Sequence, residues 1–194
     1  QNISLALDGT HYPGVSMGTI SAASGVSYLL EMWALADTDN ANEEFQLFSL
    51  DKGQRLDAVV KNGKLMMVAD STYYDTNTTL TDHQWHHIAL NVLNGQSGLA
   101  SLLVDGTSVW SANNDKLPDM AGGTLWDGRN MKGMLDEIRL WHSTNTRETI
   151  NDRMYYRLDG QSDYGLVGYW PMEESKYNEY NQREFNFSLK NMAK

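Results

Sequence analysis

Apolar and polar residues alternate at a period of two through one short segment after another, and turn-forming pairs close these segments. Ile3–Leu7 stops at Asp8-Gly9, Leu56–Lys61 and Leu65–Ala69 flank Asn62-Gly63, and Leu99–Val104 runs into Asp105-Gly106 before Ser108–Trp110 returns. A period of two sends successive side chains to opposite faces of a strand, and Asn-Gly and Asp-Gly tolerate the positive φ of tight hairpin turns. Phe45–Leu50, Trp85–Leu93, Gly133–Trp141 and Leu166–Trp170 also have strand character. Tyr28–Leu35 is apolar on both faces apart from Glu31, which suits a central strand covered on both sides. One segment has helical spacing: Asn145 as cap with Glu148 reaching back, then Ile150, Met154 and Leu158 in one stripe, ended by Gly160. Roughly ten strands, a turn signal about every ten residues and one late helix predict an all-β domain, a two-sheet antiparallel sandwich. Its span is 1–172, and the polar tail 173–194 adds at most one further strand, Phe185–Leu189.

Composition narrows the chemistry. A length of 194 residues suffices for one sizeable core. The chain has no Cys, so it has neither disulfides nor a thiol nucleophile. Its net charge of −10 disfavours nucleic acid and anionic membrane as partners, since phosphate repels such a surface. No apolar stretch approaches the roughly 18 residues of a membrane span, so no membrane insertion is expected. The first residue is Gln1, read here as the start of a piece of a longer polypeptide.

Gly133–Trp141 carries the sharpest chemical signal. Strict alternation puts Asp136, Ile138 and Leu140 on one face and Leu135, Glu137, Arg139 and Trp141 on the other. A carboxylate heading a core-facing row needs a backbone donor, a basic side chain or a cation. Tyr73-Tyr74-Asp75 and Trp126-Asp127-Gly-Arg129 pair aromatic rings with planar polar groups in apparent loops, the make-up of a sugar site, where C–H faces stack on rings and hydroxyls take hydrogen bonds. Trp33, Trp85, Trp141 and Trp170 lie inside strand patterns and are read as packing. Glu43-Glu44 and Glu173-Glu174 are read as solvated charge, Asp37–Glu44 as an acidic turn without the glycine of a calcium loop, and His86 and His87 as diverging neighbours.

Three stretches together resemble the laminin G-like branch of the concanavalin A-like lectin/glucanase superfamily: Trp85-His-His-Ile-Ala89 with Leu103-Val-Asp-Gly106, Gly133–Trp141, and Leu158-Asp-Gly160 followed by Gly165-Leu-Val-Gly-Tyr-Trp-Pro171. The resemblance implies a concanavalin A-like jelly roll. It also implies a structural calcium held by Asp136 and the Leu7-Asp8-Gly9 corner. Endoglucanases of the superfamily work through an E-x-D-x-x-E strand, which does not occur in this sequence, so no enzyme is expected. The expected function is a non-catalytic carbohydrate- or glycoconjugate-binding module of a larger secreted or cell-surface protein. Its expected partner is a glycan or glycosylated surface, contacted through Tyr73, Tyr74, Asp75, Trp126, Asp127 and Arg129. The alternative is a protein–protein adhesion or receptor-binding domain without sugar affinity.

Overall fold

The computed structural model describes residues 4–10, 14–20, 25–39, 43–93, 99–113, 121–142, 147–158 and 165–172. Among them are strands β1 (Leu5–Asp8), β2 (Val15–Thr19), β3 (Tyr28–Ala36), β4 (Glu44–Asp51), β5 (Arg55–Lys61), β6 (Lys64–Ala69) and β7 (Thr72–Thr79). They continue with β8 (Trp85–Val92), β9 (Leu99–Val104), β10 (Thr107–Asn113), β11 (Thr124–Asp127) and β12 (Lys132–Trp141), then helix α1 (Arg147–Arg153) and β13 (Leu166–Trp170). The strands form two antiparallel sheets. One runs β1-β12-β3-β8-β9-β10 with β13 also paired to β12, and the other runs β2-β11-β4-β5-β6-β7. This is the expected all-β jelly-roll sandwich. The expected cap Asn145, the stop Gly160 and the strand Phe185–Leu189 lie outside the described residues.

Alternation builds the core. Leu30 and Met32 of β3, Ile88 and Leu90 of β8, and Leu102 of β9 meet Phe48, Leu56, Val60, Met67 and Leu125 of the other sheet. The opposite face of β3 carries Leu29, which joins Ala89, Leu103, Trp141, Ile150, Leu158 and Tyr169 in a second cluster beneath α1. Hence β3 is covered on both sides, whereas among the described residues no such cluster forms on the outer face of the six-stranded sheet, and that difference positions the site. No helix among the described residues is long and apolar enough to cross a membrane.

The expected faces of Gly133–Trp141 change at one point. Asp136 stands opposite Trp33 and Arg139 opposite Glu31, so β12 spends three steps where β3 spends two. Glu137 has φ +48°, and this bulge shifts the phase of the strand. Leu135, Ile138 and Leu140 consequently all reach the inter-sheet core. Asp136 falls on the outer face and its Oδ1 accepts the N–H of Glu137 at 2.8 Å. At the start of the strand, a Cβ on Gly133 would meet the Leu35 carbonyl oxygen at 2.0 Å with φ at +151°, so glycine is what lets β12 lie against β3 there.

Four segments differ from expectation, one of them Thr124–Asp127, which is strand β11 although Trp126 and Asp127 have the make-up of a loop. Thr72–Thr79 is an edge strand although its sequence is polar, because an edge strand with one solvated face buries little, and only Thr76 within it is buried. Val15–Thr19 pairs with β11 as an unexpected strand. The helix ends at Arg153, since the carbonyls of Arg153, Met154 and Tyr156 accept side-chain donors from the sheet beneath; Met154 and Leu158 stay buried beyond it.

His86 sits between Asp105 Oδ2 at 2.7 Å and Asp82 Oδ1 at 3.0 Å. Burial alone would lower its pKa, but the two carboxylates outweigh burial and raise it. A histidine with a raised folded-state pKa contributes stability that is complete below its unfolded pKa and disappears as pH rises through the folded one. Stability should therefore decline as pH rises from about 6.5, the ordinary histidine value, through the raised folded-state pKa. Asp82→Asn should flatten that decline by about 0.2–1 kcal/mol, because the pair is solvent-screened. Urea midpoints across this range check it; equal slopes in both proteins would contradict it.

Candidate functional site: a groove across the six-stranded sheet

Residues paired across antiparallel strands share a face. Trp126 of β11 is opposite Ser49 of β4, Ser49 opposite Asp57 of β5, Asp57 opposite Val68 of β6, and Val68 opposite Tyr73 of β7. Two aromatic residues remote in sequence thus share one row on the outer face of the six-stranded sheet, four strand steps or about 19 Å apart with a carboxylate between them, and the row continues past Trp126 to Ser16 of the edge strand β2. A groove of about 620 Å³ lies over the Asp57–Val68–Tyr73 part of this row, lined in part by Tyr73, Glu44, Gln46, Arg55, Asp57 and Arg129, with Trp126 beyond its lining.

Each wall follows from its strand. Leu56, Ala58 and Val60 of β5 face the core, so Arg55 and Asp57 face the groove. Asp57 lies 3.4 Å from Arg55 Nη2. Its burial raises the carboxyl pKa, while the Ser49 hydroxyl and the charges of Arg55 and Arg129 act the other way. Tyr73 is 43 % exposed, donates its hydroxyl to Glu44 Oε1 at 2.8 Å and has Lys61 Nζ at 4.5 Å from its ring centroid. The Glu44 acceptor raises the phenol pKa, so Tyr73 stays neutral and its ring orientation is held. Gln46 Oε1 is buried with no hydrogen-bond partner. Arg129 follows β11 in a turn whose carbonyl accepts the Gln46 N–H at 2.9 Å. The groove therefore offers an oriented aromatic ring, carboxylates and guanidiniums.

The six expected ligand residues divide by face. Tyr73 and Trp126 share the row and Arg129 lines the groove. Tyr74, one residue on, turns to the opposite side and packs 6.1 Å from Trp110. Asp75 is engaged by the Asn77 N–H at 2.7 Å and lies 3.9 Å from Lys64 Nζ, outside the groove. Asp127 is wholly buried, neither of its oxygens has a hydrogen-bond partner, and burial raises its pKa well above the ordinary range. A strand sends neighbours to opposite faces, so no run of consecutive residues can line one groove.

The expected calcium set is not gathered either. Asp8 pairs with Lys132, which puts Asp136 four residues further along β12, about 13 Å away. Asp8 Oδ1 accepts the backbone N–H and hydroxyl of Thr10. Asp8, Gly9 and Asp136 do not fit one calcium shell, which needs six to eight oxygens at roughly 2.3–2.6 Å. Glu44, Gln46, Arg55 and Asp57 line the groove although none is a candidate by sequence. The alternation Arg55, Asp57 against Leu56, Ala58, Val60 carries the signal for Asp57; Glu44, a solvated charge by sequence, opens β4.

The chain belongs to the concanavalin A-like lectin/glucanases superfamily: a laminin G family model of that description matches residues 8–151. No curated protein sequence matches it. Among solved structures it is similar to a candidate carbohydrate binding protein from Bacteroides ovatus (TM-score 0.61, 16 % identity, covering 81 % of this chain and 49 % of that one). It is also similar to the botulinum neurotoxin serotype D binding domain (TM-score 0.54, 12 % identity, 77 % and 40 %). A third is the binding domain of Paraclostridial Mosquitocidal Protein 1 (TM-score 0.52, 15 % identity, 66 % and 37 %). The chain spans less than half the length of each of these structures.

Proposed function

We propose that this chain is a non-catalytic carbohydrate-binding module of a larger secreted or surface protein, and that its glycan lies across the strands of the six-stranded sheet from Trp126 toward Tyr73. The observation that carries the reading is the register-aligned row that holds Trp126 and Tyr73 with Asp57 between them. Aromatic faces take sugar C–H surfaces, while Asp57, Glu44 and Arg129 supply acceptors and donors for hydroxyls. The superfamily includes lectins, and the similar Bacteroides structure is of a candidate carbohydrate binding protein, which supports the choice.

A glycan array followed by calorimetry on the hits tests it. Tyr73→Ala and Trp126→Ala should each weaken binding about tenfold or more, equivalent to about 1.4 kcal/mol. Tyr74→Ala, on the other side of its strand, should leave affinity within about twofold, well under 1 kcal/mol. A blank array, or hits indifferent to both the Tyr73 and the Trp126 variant, would favour a protein receptor as partner.

A further inference from the structure

A second groove, of about 360 Å³, lies on the outer face of the opposite sheet, lined in part by Trp33, Trp85, Asp136, Tyr155, Tyr156 and Arg157. Beyond α1, residues 154–157 cross β3 and β12 as a strap. Trp33 Nε1 donates to the Met154 carbonyl at 3.0 Å. Arg139 donates to the carbonyls of Arg153 at 3.1 Å and of Tyr156. Arg139 is itself 1 % exposed, held by Glu31 at 3.1 Å and by Glu137 at 2.8 Å. Tyr169 donates its hydroxyl to Glu137, and the Arg153 guanidinium lies 4.7 Å from the Trp141 ring centroid.

This fixed strap holds Tyr155 77 % exposed and Tyr156 68 % exposed, beside Trp85 at 37 %. Tyr155 leans on Trp33 with ring centroids 5.5 Å apart and planes at 47°, and His87 supports Trp33 edge-on at 5.3 Å. Large aromatic rings gain nothing from solvent exposure, and immobilising their backbone in advance lowers the entropy lost when a ligand settles on them. The volume falls at the small-ligand end of the pocket range, about 300–1,000 Å³, rather than suggesting a protein footprint. Asp136 and Glu137 balance Arg139 and Arg157 along the groove, which suits an uncharged ligand rich in hydroxyls.

We propose that this groove is a second carbohydrate-binding site, taking a neutral saccharide stacked on Tyr155, Tyr156 and Trp85 with hydrogen bonds to Asp136 and Arg157. It stands independently of the groove on the six-stranded sheet. With the two sites on outer faces of different sheets, one chain can engage two glycan segments at once, a bivalent arrangement that raises avidity without new contacts.

The test titrates the full chain with soluble neutral oligosaccharides of glucose, galactose, mannose and N-acetylglucosamine, following calorimetric stoichiometry and the indole N–H resonances of Trp33 and Trp85. At least one sugar should shift both indoles. Its affinity at this site should fall at least tenfold in the Tyr155→Ala/Tyr156→Ala double variant and stay within twofold in Tyr73→Ala. Both substituted rings are exposed, so the double variant should keep the parent melting temperature. If no sugar moves the indoles, or the double variant binds every sugar as the parent does, the proposal falls. Loss of all binding in Tyr73→Ala alone overturns this site and leaves the first; loss only in the double variant does the reverse.

Discussion

Replacing Arg139 with Met should lower stability at neutral pH by about 3–5 kcal/mol, the usual cost of stripping one partner from a buried ion network. Arg139 and Glu31 are both almost wholly inaccessible, and Arg139 also supplies donors to Glu137 and to the carbonyls of Arg153 and Tyr156. For a domain of this size the loss corresponds to a fall in melting temperature of about 6–20 °C. Burial already raises the Glu31 pKa against the opposing pull of Arg139. Without the guanidinium that pKa should rise further. A carboxyl whose folded-state pKa lies above its unfolded value loses stability as pH rises through that window, so the variant should recover part of its deficit toward about pH 5. Glu31→Met/Arg139→Met removes both charges and should regain most of the loss. Guanidinium denaturation at both pH values decides the matter. An Arg139→Met deficit under about 1 kcal/mol at neutral pH would mean that the network is not what holds the strap.

Asp127→Leu should do the opposite and stabilise the chain by about 1–3 kcal/mol at neutral pH, with a melting temperature higher by about 2–12 °C. The wild-type carboxyl sits in the core with neither oxygen paired, and burial alone raises its pKa well above the usual value. The folded protein must either keep the proton or hold an unpaired charge. Each costs free energy relative to an unfolded chain that ionises freely above about pH 4. Wild type should therefore lose stability as pH rises from that point, and the leucine variant should lose less. Leu125 on the same strand and Leu7 beside Gly128 show that aliphatic side chains belong in this region. Thermal melts at a series of pH values check both the size and the slope; a less stable leucine variant at neutral pH would show that the carboxyl has a role the folded chain needs.

Asp136 and Asp127 show where reading residues in line succeeds and fails. Asp136 stood out because period two aligned it with Ile138 and Leu140, yet the bulge at Glu137 moved it to the outer face. Asp127 had the look of a loop ligand beside Trp126, yet it is the core-facing partner of an outward ring. Trp33 and Trp85 fitted strand patterns and were read as packing, but their strand faces belong to the outer groove. Tyr73 and Trp126 were legible as sugar-type aromatics, whereas their alignment in one row was not, since it depends on four strand pairings between distant segments.

The amino-acid sequence by itself determined the two-sheet class, the hairpins at Asn62-Gly63 and Asp105-Gly106, and the doubly covered β3, because period-two burial and turn stereochemistry are local properties. Only the tertiary structure decided which acid is buried, where α1 gives way to the strap, and which aromatic residues share a face. Those outcomes depend on cross-strand register, on a single inserted residue and on a guanidinium that competes for backbone carbonyls. Such long-range geometry leaves no periodic trace along the chain.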